Sequence, residues 1–143
     1  MLVQTNKYNK KIDVAVFCAA IADFKVKKMS NKKIKKNTLT TLKLIKNIDI
    51  LKKISTKKIN RPKFIVGFSA ETGSKILARK KMEEKNCDMI IYNKISKKNK
   101  VFGLDENKIS ILTKSKIVNY SKFSKLKCAN LIVDSIYNEI KNK

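Results

Sequence analysis

Several groups of residues have types and spacings that suit chemistry. Asp23 follows the small-residue stretch Ala19-Ala20-Ile21-Ala22. Small residues leaving a strand let the backbone approach a ligand closely. A carboxylate there can bind a metal, a ribose hydroxyl or a base amino group; it can equally cap or brace a loop. Ten residues on, Lys33-Ile34-Lys35-Lys36 places basic side chains in a loop. Lysine serves phosphates as a mobile point charge, and such a cluster also serves as a solvated face. Gly67-Phe68-Ser69-Ala70-Glu71-Thr72 joins a strand to a helix start. A glycine at a strand end can offer backbone N–H groups to an anion. Phe68 can stack on a base, which is worth about 1–3 kcal/mol, or be a core residue with Thr72 as a cap. Lys81 and Lys85 are four apart and share a helix face, where like charges mildly repel. A shared anionic ligand offsets that repulsion, and so does surface exposure. Asn93 ends an apolar strand and can hydrogen-bond a ligand or close the turn.

Other chemistry is ruled out by absence. The 143 residues include no histidine, so Ser-His-Asp and Cys-His catalysis are excluded. Cys18, Cys87 and Cys128 form no CxxC motif, and no zinc site of the N/S kind is expected. Their odd number and apolar settings predict reduced, buried thiols in a cytoplasm. The longest apolar run, Val14 to Ala22, is too short to span a bilayer. The N-terminal MLVQTNKYNK has no signal-peptide pattern.

The formal net charge of +24 invites a nucleic-acid reading. Its make-up argues against one. The chain has 33 Lys and 2 Arg, with 19 Ile and 14 Asn, all but Arg drawn from A/T-rich codons. Surfaces that read nucleic acid favour Arg, whose planar fork matches phosphates and guanine edges. The lysines are scattered and form no stripe. Codon bias therefore explains the composition better than selection for polyanions, though the charge still attracts anionic ligands and makes their binding salt-sensitive.

The positioning elements follow from the apolar pattern. Val14 to Ala20, Phe64 to Phe68 and Met89 to Tyr92 are continuous apolar runs, the pattern of strands buried on both faces. Thr38 to Ile45 and Lys108 to Leu112 alternate and predict two more strands. Ile21 to Lys36 reads as a basic loop, and residues 1–11 carry no strong pattern. Asp49 to Lys57 predicts a helix capped by Asn47 or Asp49. A second helix opens at Thr72-Gly73-Ser74. A third is capped by Ser121 or Ser124 and has a face of Leu126, Ala129, Leu131, Ile132, Ile136 and Ile140. Buried strands alternating with helices predict one α/β domain over 1–143: a doubly wound, mostly parallel sheet with helices on both faces. Such a sheet binds its ligand at the C-terminal strand ends. The junctions Ala19–Lys36, Gly67–Gly73 and Asn93–Ser96 lie there.

Taken in order, the strings DVAVFCAAIADF (13–24), KIKK (33–36), LKLIKNIDIL (42–51), RPKFIVGFSAET (61–72), ARKKMEEKNCDMIIYN (78–93), VFGLDENKISIL (101–112) and KLKCANLIVDSI (125–136) resemble the phosphopantothenate–cysteine ligase family. This is the C-terminal part of the bifunctional coenzyme A biosynthesis flavoprotein, also called the DNA/pantothenate metabolism flavoprotein C-terminal domain. The resemblance implies a Rossmann-like fold and a two-step reaction. The carboxylate of 4′-phosphopantothenate attacks the α-phosphate of CTP, giving an acyl-cytidylate and pyrophosphate; the amine of cysteine then displaces CMP. It implies Mg²⁺ and a cytoplasmic enzyme.

Residue by residue, the resemblance puts Ala19 and Asp23 in the nucleotide pocket. Lys33 matches the catalytic-loop lysine near the phosphates. Lys46 and Asn47 match a K-N-P-D-I loop beside CTP. Phe68, Lys81 and Lys85 match the CTP-contacting aromatic and the paired helix lysines. The segment around 24–44 and the late β-ribbon are implied to help form a homodimer. Ile48 stands where the family has Pro, which predicts a less rigid loop. Tyr92-Asn93-Lys94 replaces the commoner Ala-Asn-Asp. The family's N-terminal Gly-rich segment and its decarboxylase have no counterpart in these residues. The expectation is an N-terminally truncated domain that binds CTP weakly and catalyses only with an N-terminal half supplied in trans. The alternative is a basic nucleic-acid- or polyanion-binding module, or an inactive remnant. Convergence of Asp23, Lys33, Phe68, Lys81 and Lys85 on one cleft separates the two.

Overall fold

The computed structural model describes residues 1–8, 12–35, 41–95 and 105–142. Three apolar segments form adjacent parallel strands: β1 (Val14–Phe17), β4 (Phe64–Glu71) and β5 (Met89–Lys94). β6 (Glu106–Thr113) and β7 (Ile117–Ser124) continue the sheet antiparallel, in the order β1-β4-β5-β6-β7. The sheet is thus mixed, with a parallel half formed by β1, β4 and β5. A separate two-stranded ribbon pairs β2 (Phe24–Val26) with β3 (Leu44–Lys46). The helices are α1 (Leu2–Tyr8), α2 (Ile50–Ser55), α3 (Lys75–Glu84) and α4 (Lys125–Lys141).

Strand alternation divides the core in two. Phe64, Val66, Met89, Ile91, Ile109 and Ile111 face α4, which meets them with Cys128, Ile132 and Ile136. Ile65, Ile90, Tyr92 and Leu112 face the other way, against Leu51 of α2 and Ala78 and Met82 of α3. Helices therefore cover both faces, as the doubly wound pattern predicts. Each fully buried Ile or Leu contributes about 1.5–3 kcal/mol.

The differences from the sequence expectation have local causes. β1 is shorter than its apolar run and lies at an edge among the described strands, so Val16 is 46% exposed rather than buried. Gly67 is mid-strand, not at a strand end. A Cβ there would lie 2.9 Å from Leu51 Cδ2, so the glycine lets α2 pack close and does not present an anion site. The basic loop contains β2. The 38–45 strand reduces to Leu44–Lys46, with 36–40 outside the described residues. β7 and α1 were not expected. On α4, Leu126 is 73% exposed, and Ala129 and Ile140 also face outward; Cys128 takes the inward position instead. Ser124 is the α4 cap, accepting a bond from Lys127 N at 3.2 Å. Cys87 and Cys128 are buried, but Cys18 is exposed.

Candidate functional site

The C-terminal ends of β1, β4 and β5 open onto a cleft of about 390 Å³. Its walls come from four pieces of chain. Phe17 to Asp23 leave β1, Asn47 to Leu51 enter α2, Phe68 to Glu71 end β4, and Lys81 of α3 and its C-cap residue Lys85 project into it. Ile90 and Asn93 of β5 and Met1 also line it. Of the eight residues singled out by sequence, Ala19, Asp23, Asn47, Phe68, Lys81 and Lys85 line this cleft. Lys33 and Lys46 do not. Lys46 is exposed on the ribbon opposite Phe24. Lys33 is exposed beyond Ser30, whose hydroxyl accepts from Lys32 N at 3.2 Å and donates to Lys32 O at 2.8 Å. Lys36 lies outside the described residues.

The turn into α2 is fastened by Asn47. Its Nδ2 donates to Ala22 O at 3.1 Å, and its backbone N–H donates to Asp23 O at 2.7 Å. Its Oδ1 accepts from Ile48 N at 3.0 Å. A proline at 48 has no N–H to give. Ile48 thus supplies a bond within the turn that a proline at this place would lack. Asp49 then caps α2, accepting from Lys52 N at 2.9 Å.

Lys81 of α3 and Lys85, the C-cap residue of that helix, are each paired with a carboxylate. Lys85 Nζ lies 3.1 Å from Asp49 Oδ2. Lys81 forms an ion pair with Glu71, which also accepts from Ser69 Oγ at 3.2 Å. The repulsion expected between Lys81 and Lys85 is thus offset by one carboxylate for each. The Lys81 ammonium is the main cause holding the Glu71 carboxyl below its ordinary range. Partial desolvation pushes Asp49 up, but the Lys52 N–H and the Lys85 ammonium together outweigh it, and Asp49 also titrates low. No spacing rule could announce these pairs, because each joins side chains on separate elements.

Asn93 is only 6% exposed, and its Oδ1 has no hydrogen-bond partner. A buried acceptor left unpaired costs about 1–3 kcal/mol, a cost that any donor reaching it would relieve. The neighbouring Tyr92 is buried, and its hydroxyl donates to Gly73 O at 2.5 Å, tying the loop before α3 to β5. Burial raises the Tyr92 pKa. Of the four aromatics near strand ends that a polyanion-binding surface would use, Tyr92 is hidden, Phe68 is half-buried against the core, Phe24 is exposed on β2, and Phe102 lies outside the described residues. Among the described residues, no group of three or more Cys, Asp or Glu is placed to hold a metal ion, and no helix is long and apolar enough to cross a membrane.

Comparison with known proteins agrees with this architecture. Two solved structures are similar to the chain. The C-terminal domain of a coenzyme A biosynthesis bifunctional protein CoaBC superposes with a TM-score of 0.76 at 24% identity, over 99% of this chain and 62% of that one. The DNA/pantothenate metabolism flavoprotein of Streptococcus pneumoniae gives 0.68 at 17% identity, over 96% and 68%. Both speak to the fold. In sequence, the chain is 35% identical over 141 residues to the coenzyme A biosynthesis bifunctional protein CoaBC of Borreliella burgdorferi, covering 96% of the chain and 35% of that protein. It is 39% identical over 128 residues to the Haemophilus influenzae protein of the same name, covering 88% and 32%. The chain spans about one third of the length of these relatives. A family model, the DNA/pantothenate metabolism flavoprotein C-terminal domain, matches residues 1–140. The chain belongs to that family.

Proposed function

We propose that this chain carries the nucleotide cleft of a CTP-dependent phosphopantothenate–cysteine ligase of coenzyme A biosynthesis, working in the cytoplasm beside the rest of the ligase domain. One observation carries the reading: six of the eight residues assigned by resemblance line a single cleft at the parallel strand ends. Four of the five residues whose convergence was to separate ligase from polyanion binder are among them.

The chemistry asks little of acid–base groups. The phosphopantothenate carboxylate forms a bond to the α-phosphorus of CTP, and the bond to pyrophosphate breaks. The cysteine amine then attacks the acyl carbon, the acyl–phosphate bond breaks, and CMP leaves as the amine gives up a proton. What the protein supplies is position and charge. Phe68 offers a ring face to the base. Asn93 offers an unpaired acceptor, which suits an amino group. Lys81 and Lys85 neutralise the triphosphate. On this reading the magnesium enters with the nucleotide as part of the substrate. Lys33 acts on this reading only if its ammonium reaches the cleft when the nucleotide binds. The ribbon of β2 and β3 presents Phe24 at 55% and Leu44 at 57% exposure, and the same reading makes it part of a homodimer contact.

The test is a ligase assay with 4′-phosphopantothenate, cysteine, CTP and Mg²⁺, following pyrophosphate release with and without the remaining part of a related ligase domain. Activity in the complemented mixture, abolished by Lys33→Ala, supports the proposal. A folded chain with no activity in either mixture refutes it.

A further inference from the structure

Glu71 belongs to none of the assignments above, yet it is a charged group of the cleft held by two side-chain partners. It is the last residue of β4, and its backbone is held against β5 and the residue that follows that strand. It pairs in register with Lys94, and its carbonyl accepts from Ile95 N at 2.8 Å. Its side chain shares a strand face with Ser69, two residues earlier, whose hydroxyl donates to Oε1 at 3.2 Å. The partner of that same oxygen is Lys81 Nζ. The carboxylate is the more buried member, 23% exposed against 43% for the lysine side chain. The fixed group is therefore the acid, and the mobile one is the base. Lysine has a flexible four-carbon stem that otherwise samples many rotamers in solvent. An ammonium has three protons, so binding Glu71 leaves others for an anion.

We propose that Glu71 is a positioning residue: it acts through Lys81, holding that ammonium at the end of β4 so that the cleft meets a polyphosphate with a pre-placed charge. This rests on the nucleotide-cleft reading but needs only its anionic part. Without Glu71, Lys81 must be ordered by the ligand itself, at a cost in affinity.

The experiment is a double-mutant cycle on the full chain with Glu71→Gln, Lys81→Met and the pair together. Binding of inorganic tripolyphosphate and of CTP is measured by calorimetry at fixed low salt. Glu71→Gln is expected to weaken tripolyphosphate binding about fivefold with Lys81 present, and to change nothing once Lys81 is Met. The Lys81 side-chain ammonium signal, visible in a cold ¹H–¹⁵N spectrum of the parent, is expected to broaden in Glu71→Gln. Glu71→Asp, which keeps the charge but shortens the reach, is expected to fall between. It replaces Glu71→Gln in the cycle if that variant does not fold. Tighter binding by Glu71→Gln would show a competing carboxylate and overturn the proposal. So would equal losses in both backgrounds, or no tripolyphosphate binding by the parent. A parent that binds tripolyphosphate but prefers it to CTP removes the nucleotide reading and leaves this one standing.

Discussion

Asp49 Oδ2 lies 3.1 Å from Lys85 Nζ while Oδ1 of the same carboxylate receives Lys52 N at 2.9 Å. One side chain thus begins α2 and holds the cleft lysine that caps the end of α3. The two jobs separate by substitution. Asparagine caps as well as aspartate but cannot form the ion pair. Asp49→Asn is expected to cost about 0.5 kcal/mol, the scale of a half-exposed pair. Asp49→Ala loses the cap as well and is expected to cost about 1.5 kcal/mol. Urea melts of the two variants check the order; equal costs would show that the cap contributes nothing.

A second junction holds the far ends of these helices. Arg61 donates to Ser55 O at 2.8 Å from Nε, to Pro62 O at 2.9 Å from Nη1, and to Asn86 O and Asp88 Oδ2 at 2.9 Å from Nη2. Asp88 Oδ2 also accepts from Ile65 N at 2.9 Å. The guanidinium therefore ties α2, the start of β4 and the α3–β5 turn, where Asn86 takes a left-handed φ of 47°. Lysine cannot reproduce that fork. Arg61→Lys is expected to lose about 2 kcal/mol and Arg61→Ala about 3 kcal/mol, because the fork's bonds to Ser55, Pro62, Asn86 and Asp88 are lost together. Thermal melts with losses under about 0.5 kcal/mol, the range of ordinary surface changes, would contradict this.

The three thiols differ in environment. Burial pushes Cys87 up to about 11 and raises Cys128 as well. Cys18 is exposed and lines the cleft. A disulfide reagent at pH 8 is expected to modify one thiol rapidly in the native chain and three after denaturation. Cys18→Ser removes the fast phase. Saturating CTP slows it in the parent, and an unchanged rate would mean that the nucleotide binds elsewhere.

Much of this architecture is legible in the residues. The runs at 64–68 and 89–92 are buried on both sides and read as they fold. Asp49 and Ser124 are caps by type and place. An apolar run does not reveal whether its strand is central or at an edge, which is why the exposure of Val16 was missed. β7 escapes because its alternating residues are only partly buried and include Asn119, Ser121 and Lys122. The lysine pair is visible as a spacing of four, but its carboxylate partners are not, since Glu71 and Asp49 reach it only through the sheet. Asn93 stood out as a polar end to an apolar strand; that its acceptor is buried and unpaired is a fact of packing alone.

Acid should loosen the cleft. Both Glu71 and Asp49 titrate below their ordinary values in the folded chain. The stability they contribute is fully present above the ordinary carboxylate range and is lost as pH falls through it toward their lowered values. The parent is expected to lose stability between about pH 5 and pH 3 more steeply than a Glu71→Gln, Asp49→Asn double variant. Parallel pH–stability curves for the two would show that these pairs do not couple to folding.

The most direct test of the account is a calorimetric titration of the full chain with CTP and Mg²⁺, beside a Lys81→Met, Lys85→Met double variant. One saturable site per chain, weakened by salt and lost in the double variant while its melting curve stays cooperative, is the predicted result. No saturable CTP binding, or equal binding by the double variant, would contradict the assignment of this cleft to a nucleotide.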